Sequence, residues 1–202
     1  MSEYLRDARG SALVEAALVL PVFFLLIFGT IDFALFMWQW NAANKAVQLG
    51  ARKAIVSDSV AAGAGLTLPE SMAYWNGLPL GAGCAPDDAG RSACPVFVVQ
   101  CNAAAGCRCP DSNCDFVLAR ASLAPIITAM RAALSTLQAE DLEVKYAMNY
   151  LGYVGRPVPV PVDVTVSIVN MKYDLLFLNV LLGPSIPIRA SATLPSEDLA
   201  TY

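Results

Sequence analysis

Between Ala16 and Ile31 the chain carries no charged residue. Extended back to Ser11, the run is 21 residues long and holds one ionisable side chain, Glu15. A bilayer crossing needs about 20 mostly apolar residues, so the run reads as a membrane-spanning helix. Asp32 ends the uncharged stretch, and Phe33–Trp40 continues it as an aromatic segment. Trp38 and Trp40 in that segment suit a membrane–water interface, where an amphipathic ring meets both solvents. Arg6 and Arg9 lie close before the run, whereas Lys45, Arg52 and Lys53 lie further beyond it. The positive-inside rule therefore favours a cytoplasmic N-terminus. A secretory signal peptide needs an apolar region of about 7–15 residues and a small-residue cleavage site. This run is longer, ends in aromatics and has no such site beside it.

Composition agrees with membrane attachment. Of 202 residues, 56% are hydrophobic and 15% charged, where a soluble domain has about 45–50% and about 25%. A net charge of −4 argues against a nucleic-acid binder, which shows a basic footprint. With no histidine, imidazole-based triads and imidazole metal ligands are excluded. No phosphate loop, calcium loop or paired catalytic carboxylates appear, and Asp87-Asp88 and Glu140-Asp141 read as solvated turns. The chain is expected to be no enzyme and to carry no cofactor or metal.

Glu15 is the residue that plain membrane anchoring leaves unexplained. A carboxylate at the centre of a membrane helix costs about 2.5–3.5 kcal/mol on insertion scales. Near the start of the run it can snorkel, or it can be neutralised by a cation held in a protein environment. A free α-amino group made by cleavage just upstream would be such a cation. Gly10 offers the site: it is small, follows Arg9 and stands at the polar–apolar boundary.

The order Arg9-Gly10-Ser11-Ala12, Val14-Glu15, Ala17-Leu18, Pro21, Phe28-Gly29, Asp32-Phe33, Asn41 and Gly50-Ala51-Arg52 resembles the TadE-like pseudopilins of Tad (tight adherence) pilus systems. The resemblance covers about residues 8–54. It implies a leader at residues 1–10, removed by a prepilin peptidase between Gly10 and Ser11. It also implies that Glu15, then the fifth residue, neutralises the N-terminal ammonium of a neighbouring subunit. An aromatic often follows this Glu in the family, and Ala16 stands here. The implied partners are the peptidase, other pilins or pseudopilins, pilus assembly platform proteins and membrane lipid. The implied place is the inner membrane, with a periplasmic C-terminal domain or a position in an extracellular pilus. A chain of this length fits a minor component acting in pilus assembly or adherence. The alternative is an uncleaved single-pass anchor carrying a periplasmic binding or adhesion module. Pro21 removes one helix hydrogen bond and reads either as an assembly feature or as an ordinary membrane-helix proline.

The first helix is expected over Ser11–Val56, some 46 residues or ~69 Å at ~1.5 Å per residue. Ala42, Ala46, Gly50 and Ala54 recur every four residues as a small-residue stripe, which lets another backbone approach closely. The partner could be the chain's own domain or a neighbouring subunit. Residues 57–202 are expected to form one α+β domain: a three-stranded antiparallel sheet packed on helices, with a Cys-rich insertion at 84–114. All six cysteines, Cys84, Cys94, Cys101, Cys107, Cys109 and Cys114, lie in that insertion. An even number at short spacing in an exoplasmic segment reads as disulfides, with 15 possible pairings. A thiolate zinc site is the rival, though no Cys-x-x-Cys pair occurs.

Leu123, Ile126, Ile127, Met130, Leu134 and Leu137 have helical spacing within 115–139. Period-two alternation then predicts strands over 142–148, 158–168 and 186–194. Pro159, Pro161 and Pro187 suggest strand edges or starts. Between the last two strands, Leu175–Gly183 is an apolar connection. It reads as a core-capping helix, or as a surface for membrane or another pilus component.

Overall fold

A computed structural model of the chain describes residues 8–63, 66, 82–90, 94, 96–110, 116–153 and 162–196, with backbone alone at 8–12, 180 and 181. It is an α+β structure with one long N-terminal helix. In chain order its elements are α1 (Ala8–Ala54), β1 (Ala61–Ala62), β2 (Val98–Asn102), β3 (Gly106–Arg108), β4 (Val117–Leu118), α2 (Arg120–Arg131), β5 (Leu142–Met148), β6 (Val162–Ile168), β7 (Lys172–Asp174), α3 (Asn179–Leu182), β8 (Ser185–Pro187) and β9 (Ala190–Pro195). They divide between two compact units, one of residues 1–39 with 172–186, the other of 40–171 with 187–202.

Helix α1 runs for 47 residues and passes through Pro21 without a break. It starts at Ala8, three residues before the expected Ser11, and ends two residues before Val56. Arg52 and Lys53 in its last turn complement the negative end of the helix dipole. The Ser57 hydroxyl donates to the Lys53 carbonyl and covers one of the acceptors left open there.

The second unit holds a five-stranded antiparallel sheet, in the order β3-β2-β5-β6-β9. Strands β5 and β6 bury every second residue, with Val144 opposite Val166 and Tyr146 opposite Val164. The far end of α1 and the apolar side of α2 are buried in the same unit, at Ala46, Ala51 and Ala54 on one and Ile126 and Met130 on the other. At Gly50 the two meet the sheet: a Cβ placed there would lie 2.7 Å from Met130 and 3.1 Å from Val166. Glycine is what allows this approach.

The sheet is larger than the expected three strands. The two extra strands come from the Cys-rich segment, read from sequence as an irregular insertion. Val99 and Cys101 are buried on β2, and the β2–β3 turn is closed by Asn102, whose Oδ1 accepts the Ala104 and Ala105 amides. Gly106 follows at φ 75°, a left-handed conformation glycine adopts freely. The predicted strand 186–194 is two strands. Ile186 belongs to β8, paired with β7, whereas β9 begins at Ala190 and joins β6. Residues 158–161 of the predicted 158–168 strand lie outside the described residues. The helix predicted within 115–139 is α2, with Leu123, Ile126, Ile127 and Met130 buried. Leu134 and Leu137 are buried too, but in the turns that follow it.

Tyr146 is fully buried, and its hydroxyl accepts the Val60 amide at 2.9 Å. Burial pushes its phenol pKa up, against the opposing pull of the Val60 amide and Ser59. The folded state thus favours the neutral phenol. Stability from this group is complete below about pH 10, the ordinary tyrosine range, and is lost as pH rises through the elevated folded value. Tyr146→Phe should cost about 1–3 kcal/mol at neutral pH by orphaning the Val60 amide. It should also flatten the alkaline loss relative to wild type, in denaturant melts of detergent-solubilised protein at several pH values. In the same assay Gly50→Leu should cost about 1–3 kcal/mol through overpacking. Gly50→Ala should also destabilise, by less than Gly50→Leu, because its Cβ would lie 2.7 Å from Cγ and Sδ of the fully buried Met130, a clash that a helix-propensity gain of about 1 kcal/mol offsets only in part.

Candidate functional site

From Leu13 to Trp38, α1 presents leucine, valine, isoleucine and phenylalanine side chains outward, most of them exposed. Its most apolar 18-residue window has a mean hydropathy of 2.4 and is only 6% buried within the chain. A core helix of a soluble domain would have that window covered. The helix is long and apolar enough to cross a membrane. Two carboxylates bracket its uncharged part, Glu15 and Asp32, about 26 Å apart along the axis at ~1.5 Å per residue. That is close to the ~30 Å hydrocarbon thickness of a bilayer.

The two carboxylates have opposite environments. Glu15 is exposed and makes no hydrogen bond or ion pair among the described residues. Asp32 is fully buried, at 0% exposure. Its Oδ1 accepts the Leu176 amide at 3.0 Å, and its Oδ2 accepts those of Phe177 at 2.9 Å and Leu178 at 2.8 Å. A buried carboxylate is tolerable when its lone pairs are filled by donors, and consecutive backbone amides do this at short range. The Tyr173 hydroxyl also donates to the Asp32 backbone carbonyl at 3.4 Å.

Side chains fasten the same junction. Phe177 stacks on Phe28 with ring centroids 4.6 Å apart, Phe28 on Phe24 at 5.9 Å, and Tyr173 meets Phe36 edge-on at 5.8 Å. Leu178 lies over Gly29, 3.6 Å from where a Cβ would stand. The β7–β8 hairpin is thereby tied to α1 between Phe28 and Phe36.

Of the residues singled out from sequence, Gly10 and Ser11 lie within the first turns of α1, so a protease would have to open helix to reach the bond between them. Pro21 lies inside the exposed apolar part. Ala46, Gly50 and Ala54 are buried in the second unit and Ala42 is half-buried, so the chain's own domain covers most of this stripe. Cys84 and Cys94 are within disulfide distance, with Cα atoms 5.0 Å apart. Cys101 and Cys107 face each other across β2 and β3 with Cα atoms 4.0 Å apart. Cys109 is also disulfide-bonded, and Cys114 lies outside the described residues. Sequence reasoning missed the Asp32 junction. Asp32 was visible as the end of the uncharged run and as an acidic position in the family pattern, and its partners only as an oddly apolar connection. The connection is a turn, in which α3 is four residues long and Leu176, Phe177 and Leu182 stay exposed.

Comparison with known proteins adds one finding. Residues 10–52 match the family described as TadE-like protein. The matched segment begins at Gly10 and contains Glu15, Pro21, Asp32 and Gly50-Ala51-Arg52. The match spans 43 of the 202 residues. No match was found among curated proteins or among solved structures.

Removing the Asp32 carboxylate should loosen the hairpin without unfolding the sheet. In Asp32→Ala the amides of Leu176, Phe177 and Leu178 should exchange hydrogen roughly tenfold faster or more, since each loses its acceptor. Asp32→Asn, keeping one acceptor oxygen, should fall between. Exchange mass spectrometry on the full chain in detergent measures this, with β5 and β6 as the unchanged reference.

Proposed function

We propose that this chain is a minor pseudopilin of a Tad-type pilus. Its leader is cut after Gly10 by a membrane-embedded prepilin peptidase, and it acts in pilus assembly or adherence. The observation that carries the proposal is the family match, which begins at the glycine of the cleavage site and follows an apolar helix to its basic end. In this reading the N-terminus is cytoplasmic, α1 crosses the inner membrane and the sheet domain is periplasmic. The disulfide-distance cysteines suit such an oxidising compartment.

The chemistry of the exposed carboxylate supports the same reading. Cleavage would create an ammonium at Ser11 and leave Glu15 four residues behind it, on a helix face with no partner among the described residues. A carboxylate in lipid is unfavourable alone and favourable beside an ammonium, so pairing with a neighbouring subunit's N-terminus would set the stagger between subunits. The partners are then the peptidase, other pilins or pseudopilins, platform proteins and membrane lipid. Nucleic acid is not among them. No catalytic role is assigned.

The test is a pair of variants expressed with the rest of the pilus system. Gly10→Phe should accumulate as unprocessed precursor in the membrane and abolish the chain's contribution to piliation. Glu15→Leu should be processed normally yet fail to join other subunits, read by co-purification with the assembled pilus. Normal processing and piliation of Gly10→Phe would sink the proposal and favour an uncleaved anchor carrying a binding module.

A further inference from the structure

Residues 175–182 form the tip of the β7–β8 hairpin, and apart from the exposed Asn179 its residues are apolar where loop tips are usually polar. Leu176 is 60% exposed, Phe177 47% and Leu182 61%. On β7, at its base, the exposed side chains are the charged Lys172 and Asp174. We infer that this tip is a second membrane contact, which inserts Leu176, Phe177 and Leu182 into the lipid interface beside the α1 span, in the leaflet on the Asp32 side.

Three observations carry the inference. The apolar surface of the tip is continuous with that of the helix, through the stack of Phe177 on Phe28 and of Phe28 on Phe24. Lipid that covers Phe24 and Phe28 therefore also reaches the tip. The depth is suitable as well. Phe28 lies four positions before Asp32, about 6 Å nearer the centre of the uncharged run. Interfacial elements bury their apolar faces about 5–10 Å into the headgroup–acyl boundary.

The third observation is the state of the backbone. Irregular backbone enters an apolar medium only if its polar groups are satisfied by protein, each orphan costing several kcal/mol there. All four amides from 175 to 178 are satisfied. Leu175 donates to the Pro184 carbonyl, and Leu176, Phe177 and Leu178 donate to Asp32. Leu182 donates in turn to the Leu178 carbonyl. Asp32 is thus a positioning residue that fills three of the donors the tip would otherwise carry into lipid. The inference needs α1 to span the membrane, and is independent of cleavage at Gly10.

The test places a tryptophan at the tip of the full chain in phosphatidylcholine proteoliposomes, with the acyl chains brominated either near the headgroup or near the chain end. Emission added over wild type by Leu176→Trp should be quenched more by the shallow bromines than by the deep ones, and should resist aqueous iodide. Phe177→Trp is the second position, should the first disturb the fold. Leu25→Trp, within the span, should be quenched most by the deep bromines and so tests the span by itself. Tip emission quenched by iodide and by neither brominated lipid would overturn the inference, leaving a water-facing loop. Tip emission quenched by neither agent would also overturn it, in favour of cover by a second protein chain. Because Leu25→Trp and the processing of Gly10 are read separately, failure at the tip is distinguishable from failure of the pseudopilin reading.

Discussion

A carboxylate at the end of a sixteen-residue uncharged run has to be satisfied by something, and in this chain the solution shapes what surrounds it. Asp32 takes three consecutive backbone amides from a segment more than 140 positions away in sequence. Closing so long a loop has an entropic cost that grows only slowly with length, so a few good hydrogen bonds and ring stacks suffice to hold it. The amides in turn have their orientation fixed by the carboxylate. Neither group would tolerate burial alone, and together they set where the β7–β8 hairpin crosses α1.

Helix α1 answers two environments along one axis, and its composition changes accordingly. Its first part carries Leu, Val, Ile and Phe on nearly every face, a pattern that suits a helix long and apolar enough to cross a membrane. Beyond Asn41 the bulky residues give way to Ala42, Ala43, Ala46, Gly50, Ala51 and Ala54, and burial within the sheet unit begins. Small residues there let the helix backbone come close to Met130 and Val166. The stripe that could have served a neighbouring subunit is largely occupied by the chain's own core. Glu15 is a different case, being exposed on the apolar helix and open to a partner.

The legible parts of the fold were those whose signal is local. Period-two alternation found β5 and β6, and helical spacing found α2, because a single buried face is written directly into residue order. The hairpin of β2 and β3 was hidden because its cysteines, glycine and turn residues resemble a stapled loop, and Cys101 is at once a core residue and a disulfide partner. The split between β8 and β9 was hidden because Ile186, Ile188 and Ala190 keep alternating while the chain changes sheets. The candidate site divides in the same way. Gly10, Glu15 and Pro21 stand in a recognisable order, whereas the partners of Asp32 are backbone amides, which leave no mark in a sequence.

In the proposed function α1 is a pilin-type helix that acquires a new N-terminus by cleavage after Gly10. The most direct measurement is N-terminal sequencing, with intact mass, of the protein extracted from membranes of cells that carry its own pilus system. A mature chain that begins at Ser11 is the result the account predicts. A chain that still carries Gly10 and the residues before it would contradict the account and leave a membrane-anchored module in its place.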